Sequence, residues 1–95
     1  MFTHIVLFRL KDKSPESLQI LKDKLLGLKD QVPMLKFLEV GTDVVRAERS
    51  YDLGLYTKFD TLEDMKAYLV HPAHVKVSEY VQSVKESVVA VDYES

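Results

Sequence analysis

The chain contains no cysteine, which excludes a disulfide framework and any thiolate metal site. Such a chain suits a reducing compartment, and the expected location is the cytoplasm. Glycine occurs only three times, too thinly for a glycine-rich loop to cradle a nucleotide phosphate. No serine sits in a nucleophile-elbow pattern. Neither sign of charge dominates: 13 basic against 15 acidic residues give a formal charge of −2. Without a basic field nothing draws a phosphate backbone, so nucleic acid is not an expected partner. Long apolar runs are missing as well. The early run Ile5-Val6-Leu7-Phe8 stops at Arg9, far short of a signal sequence or a membrane span, and no membrane partner is expected.

What is present describes one small domain over residues 1–95. The hydrophobic share of 46% with 29% charged residues supports a single core of modest size. No internal repeat or linker interrupts it. Phe2 to Leu10 is rich in β-branched and aromatic residues and reads as a first strand. Ser14-Pro15 offers a capping hydroxyl and a proline suited to the first helical position. Leu18, Leu21, Leu25 and Leu28 follow at helical spacing, with Lys22, Asp23, Lys29 and Asp30 on the wet side. Val32-Pro33 is expected to end that helix.

Lys36 to Val45 reads as a second strand that bends or stops near Gly41. Arg46 to Ser50 is a charged turn, expected with Asp52 to be solvated, and Tyr51 to Phe59 alternates as a third strand. Thr61 and Asp64 resemble a capping box, opening a helix whose buried stripe is expected to be Leu62, Met65 and Leu69. His71-Pro72 breaks it. A further helical stretch carries Val77, Tyr80 or Val81, and Val84, and Val88 to Tyr93 forms a fourth strand. The order β-α-β-β-α-β is the split βαβ pattern of ferredoxin-like α+β folds, with helices on one face of a four-stranded antiparallel sheet.

The other face ought to be polar if it meets water. It is not. Ile5 and Leu7 on the first strand, and Val89 and Val91 on the last, stand on the face away from Val6 and Phe8. Covering each such side chain is worth roughly 1.5–3 kcal/mol, and a second copy related by a two-fold axis is the commonest way to do it. A homodimer is therefore expected; a monomer with a short fourth strand is the alternative.

Chemistry concentrates in Tyr68-Leu69-Val70-His71-Pro72-Ala73-His74. Histidine exchanges protons near neutral pH, and a tyrosine hydroxyl can hold a carbonyl or a developing oxyanion. His4 lies on a strand that is central in this topology. If its face is the helix-facing one, His4, Tyr68 and His74 converge on a pocket between sheet and helices. Structural roles stand beside the chemical ones. In these, His74 bonds locally at the kink, His71 caps the next helix, Tyr68 packs its ring, and His4 sits satisfied in the core. A metal held by His4, His71 and His74 is disfavoured by the intervening proline and the lack of a carboxylate partner.

Four segments carry a family resemblance: His4-Ile5-Val6-Leu7-Phe8, Tyr51-Asp52-Leu53-Gly54-Leu55, Tyr68 to Val75, and Val89-Ala90-Val91-Asp92-Tyr93. Together they resemble the stress-responsive α/β-barrel (Dabb) family, with His-Pro-Ala-His as the most specific step. The resemblance implies a dimeric α/β barrel of two facing ferredoxin-like sheets. A plant polyketide cyclase of this family works without cofactor or metal. By that likeness His74 would be a general base removing a proton α to a carbonyl, Tyr68 would hold the substrate, and His4 would hydrogen-bond within the pocket. The implied function is binding of a small, largely apolar molecule with cofactor-free proton transfer, as in a polyketide cyclase. The alternatives are a non-catalytic, stress-associated dimer and a cofactor-free monooxygenase-like protein. A cavity of roughly 300 Å3 or more lined by the three residues would favour binding or catalysis, and a filled interior the structural reading.

Overall fold

A computed structural model describes residues 1–95. The strands and helices run β1 (Phe2–Leu10), α1 (Pro15–Leu26), β2 (Phe37–Thr42), β3 (Leu53–Phe59), α2 (Leu62–Leu69), α3 (Pro72–Val84) and β4 (Lys85–Glu94). The strands form one antiparallel sheet in the order β2-β3-β1-β4. This is the ferredoxin-like α+β topology expected from the pattern, with the second helical region divided in two. No helix is long and apolar enough to cross a membrane.

Local chemistry explains the boundaries. The Ser14 hydroxyl accepts from the Ser17 N–H at 3.3 Å and Pro15 occupies the first helical position, fixing the start of α1. The helix ends at Leu26, earlier than Val32-Pro33 required, because the chain tightens into a 3-10 turn at Gly27–Asp30. Leu28 rides on that turn and remains fully buried. Thr61 accepts from the Asp64 N–H at 3.1 Å, giving α2 half of a capping box; no return bond from the Asp64 carboxylate accompanies it. His71 then stops one helix and opens the next: its Nδ1 accepts from the Ala73 N–H at 3.1 Å, and Pro72 starts α3.

β1 is the spine of the core. His4, Val6, Phe8 and Leu10 are buried beneath the helices, against Leu18, Leu21 and Leu25 of α1 and Val81 of α3. Across β1 the register pairs Val6 with Leu55 and Ala90, and Phe8 with Leu53 and Val88. Phe59 at the end of β3 is completely covered.

Three further expectations need correction. The buried stripe of α2 is Met65 and Tyr68, while Leu62 and Leu69 are exposed. In an eight-residue helix the terminal leucines fall at the margin of the core, and the larger tyrosine ring takes the inward position. Asp52 is not solvated but buried. The β3 ladder begins at Leu53, just after this carboxylate, which accepts from the Leu10 N–H at 2.8 Å, Lys13 at 3.1 Å and Arg46 at 2.8 Å. β4 begins three residues earlier than Val88, at Lys85, because α3 passes straight into it.

The sheet face away from the helices is apolar and uncovered. Leu7 is 39% exposed, and its neighbours on β4, Val89 and Val91, are 45% and 53% exposed. Ile5 pairs with Val91 and Leu7 with Val89, so these side chains form one continuous patch.

Candidate functional site

The site grows from three elements that meet at one end of the sheet. β1 sets His4 on its helix-facing side; α2 turns Tyr68 inward on its last turn; α3 brings His74 in on its first. The rings adjoin: Tyr68 and His74 lie 4.5 Å apart between centroids, and Tyr68 and His4 lie 6.2 Å apart, edge to face. Phe59 supports the phenol from behind at 5.0 Å. The convergence expected from the sequence is therefore present for His4, Tyr68 and His74. His71 does not line the pocket and instead caps α3.

Each ring has a distinct electrostatic setting. The Tyr68 hydroxyl is fully buried and has no hydrogen-bond partner. Burial pushes its pKa well above the ordinary tyrosine value of 10.0, so it stays a neutral donor. His74 Nδ1 bonds the Leu69 carbonyl at 3.0 Å. A carbonyl only accepts, so Nδ1 carries the proton and Nε2 keeps its lone pair. Burial pushes the His74 pKa below 6.5, outweighing the Leu69 bond that favours the protonated ring, and the nearby His4 adds to the lowering. The neutral, proton-accepting form of His74 is therefore favoured at neutral pH.

His4 has a partner that the sequence reading missed. Its Nδ1 is hydrogen-bonded to the Asp92 carboxylate, directly across the β1–β4 ladder. Because a carboxylate accepts, His4 presents its other nitrogen as the free one. The signal was available in the alternation of β4, which puts Asp92 on the same face as Val88 and Ala90. What the sequence lacked was the register that sets it opposite His4. The His4 backbone is held in turn by the Thr57 hydroxyl, which donates to its carbonyl at 2.9 Å.

These rings edge a pocket of about 210 Å3 floored by Val6, Phe8, Leu25, Leu55 and Val81. The pocket is neither filled nor as large as the roughly 300 Å3 typical of sites for drug-sized ligands. No lysine, arginine or carboxylate lines it. Chemically it can hold a small apolar body, donate a hydrogen bond from Tyr68 to an oxygen, and accept a proton at His74 Nε2.

Fold and pocket together define a ferredoxin-like α+β protein with a tyrosine–histidine cavity between sheet and helices. The sequence profile of the stress responsive A/B barrel domain matches residues 2–95, and the chain belongs to that family. It is 30% identical over 95 residues to the stress-response A/B barrel domain-containing protein DABB1 of Arabidopsis thaliana, covering 95% of this chain and 45% of that protein. The chain thus spans less than half the length of that relative. It is 27% identical over 93 residues to olivetolic acid cyclase of Cannabis sativa, covering 95% of this chain and 92% of the cyclase. Among solved structures, a dimeric protein of unknown function from Bacteroides fragilis superposes with a TM-score of 0.83 at 32% identity, covering 99% of this chain and 95% of that one.

Proposed function

We propose that this protein is a homodimer that binds a small, largely apolar carbonyl compound in the tyrosine–histidine pocket and catalyses cofactor-free proton transfer on it. One observation carries the reading: a buried phenol with no partner stands against an imidazole whose Nδ1 is already committed to Leu69. An unsatisfied buried hydroxyl costs roughly 1–3 kcal/mol, and a ligand oxygen beside Tyr68 removes that cost. His74 Nε2 then takes the proton from the carbon next to the carbonyl, and the Tyr68 hydroxyl stabilises the enolate oxygen that develops. Returning the proton to carbon completes the cycle; alternatively the enolate carbon attacks a second carbonyl of the same molecule, and protonated His74 gives its proton to the alkoxide so formed. The His4–Asp92 pair holds the second imidazole in a fixed orientation at the pocket wall. The likeness to olivetolic acid cyclase supports this reaction class, and the dimeric Bacteroides relative supports the assembly.

The test uses phenylacetone in deuterated buffer, with proton NMR following loss of the signal from the carbon beside the carbonyl. The protein accelerates exchange, and His74→Ala lowers the acceleration at least about hundredfold with the melting temperature nearly unchanged. Exchange equal to buffer alone, or equal in wild type and variant, refutes the reading.

A second reading, a non-catalytic dimer whose histidines hold the fold, has its own support. His71 caps α3, and His74 ties that helix back to Leu69. Collapse of the fold in His74→Ala would favour it.

A further inference from the structure

The same cavity carries information about what fits inside, and this step rests on the function proposed above. Its volume of about 210 Å3 compares with the roughly 150 Å3 that encloses benzene. One ring with short substituents fills that volume; a long tail exceeds it. Phe8, Leu25 and Val81 form the inner wall and are themselves almost completely buried, so the wall cannot give way without opening the core. The lining has no lysine or arginine, and the Asp92 carboxylate beside it is already bound to His4. An anion entering here would lose its water without gaining a counter-charge.

The polar groups are not confined to one end. Ser78 and Gln82 follow His74 at successive four-residue steps on α3 and line the same cavity. This spacing puts all three on one stripe of the helix. Ser78 is half-buried, Gln82 is exposed, and neither side chain makes a hydrogen bond within the protein, unlike Ser83 on the same helix. A ligand with its carbonyl oxygen at Tyr68 would lie with its far end along this polar edge.

We infer that the site selects an uncharged molecule no larger than one substituted six-membered ring, its carbonyl held at Tyr68 and a second hydrogen-bonding group read by Ser78 and Gln82.

Four probes test size, charge and the second hydrogen bond separately, with binding followed on the imidazole proton signals of His74. Phenylacetone is the compact neutral reference. Its para-hydroxy derivative adds the second polar group, a homologue with hexyl in place of methyl adds length, and phenylacetate adds charge. The para-hydroxy compound is expected to bind about fivefold more tightly than phenylacetone, the contribution of one hydrogen bond. The hexyl homologue and phenylacetate are expected to bind at least about tenfold more weakly. Gln82→Leu erases the hydroxyl preference. Val77→Ala, which shortens a half-buried lining residue and favours the helix, lets the hexyl homologue in; Val88→Ala on β4 makes the same test from the opposite wall. If wild type takes the hexyl homologue or phenylacetate as tightly as phenylacetone, the size or charge limit is overturned. Equal binding of phenylacetone and its hydroxy derivative overturns the role of the polar edge. Those results leave the proton-transfer reading intact, provided exchange still depends on His74. Exchange independent of His74 sinks that reading instead, while the binding order still decides this one. No shift at His74 with any probe removes both.

Discussion

Tyr68 is the residue at which the fold and the proposed chemistry make opposite demands. Its ring is wedged between Phe59, His4 and His74, yet its hydroxyl finds no partner. Removing only the oxygen keeps the packing and discards an unsatisfied donor. Tyr68→Phe is therefore expected to stabilise the free protein by about 1 kcal/mol, raising the melting temperature by about 4–8 °C, while weakening phenylacetone binding. A melting temperature lowered by the substitution would show that the hydroxyl supports the fold. His74 adds a pH signature. Its native pKa lies below the ordinary 6.5, so between those two values the unfolded chain binds more protons on this ring than the native one does. Stability therefore falls as pH drops through that window, and His74→Ala should flatten the slope there in urea titrations run at several pH values. The exchange rate should lose its base form only at a pH below that of an ordinary imidazole.

At the scale of elements, Asp52 does more than its place in a charged turn suggested. Its carboxylate joins the end of β1 through Leu10 N–H, the approach to α1 through Lys13, and the β2–β3 loop through Arg46. Arg46 itself sits at φ 55, a left-handed conformation that a non-glycine residue adopts at some cost. Burial works to raise the Asp52 pKa, but the Leu10 N–H, Arg46 and Lys13 together outweigh it and hold it below 3.8. The stability these bonds contribute is therefore present above 3.8 and lost as pH falls through the lowered native value. Asp52→Ala leaves a buried Leu10 N–H unpaired and should cost about 2–3 kcal/mol in chemical denaturation. A loss under about 0.5 kcal/mol, the range of ordinary surface substitutions, would mean that water replaces these bonds. The sequence did not reveal this hub, because two of the three partners, Leu10 and Lys13, lie 42 and 39 residues away from Asp52, and without them Arg46 and Asp52 read as an ordinary exposed pair in a turn. The caps at Ser14, Thr61 and His71, by contrast, were readable, since a cap bonds within two or three residues of itself.

For the whole molecule, the decisive feature is the uncovered apolar face shared by β1 and β4. Two such faces packed together would remove Ile5, Leu7, Val89 and Val91 from water, and the energy of that burial is the physical basis of the proposed homodimer. Sedimentation should give the mass of two protomers. Val91→Asp, which places a charge in the middle of the patch, should shift the protein to the mass of one, or to a weak equilibrium that depends on concentration. A wild-type chain that sediments as a monomer would remove the homodimer.

The sequence by itself determined the element order and the two-faced apolar character of the sheet; which side of β1 turns inward, with apolar residues on both, was settled by the packing of the helices on His4, Val6 and Phe8. Periods of two and of 3.6 residues, local caps and proline steps are all properties of neighbouring residues. Only the tertiary structure decided that Tyr68 rather than Leu69 enters the core, that Asp92 meets His4 across the ladder, that Asp52 is buried, and that about 210 Å3 of space remains beside the histidines. Each of these depends on register or packing between segments far apart in the chain, where the residual volume and the choice of partner are set by how whole elements fit together.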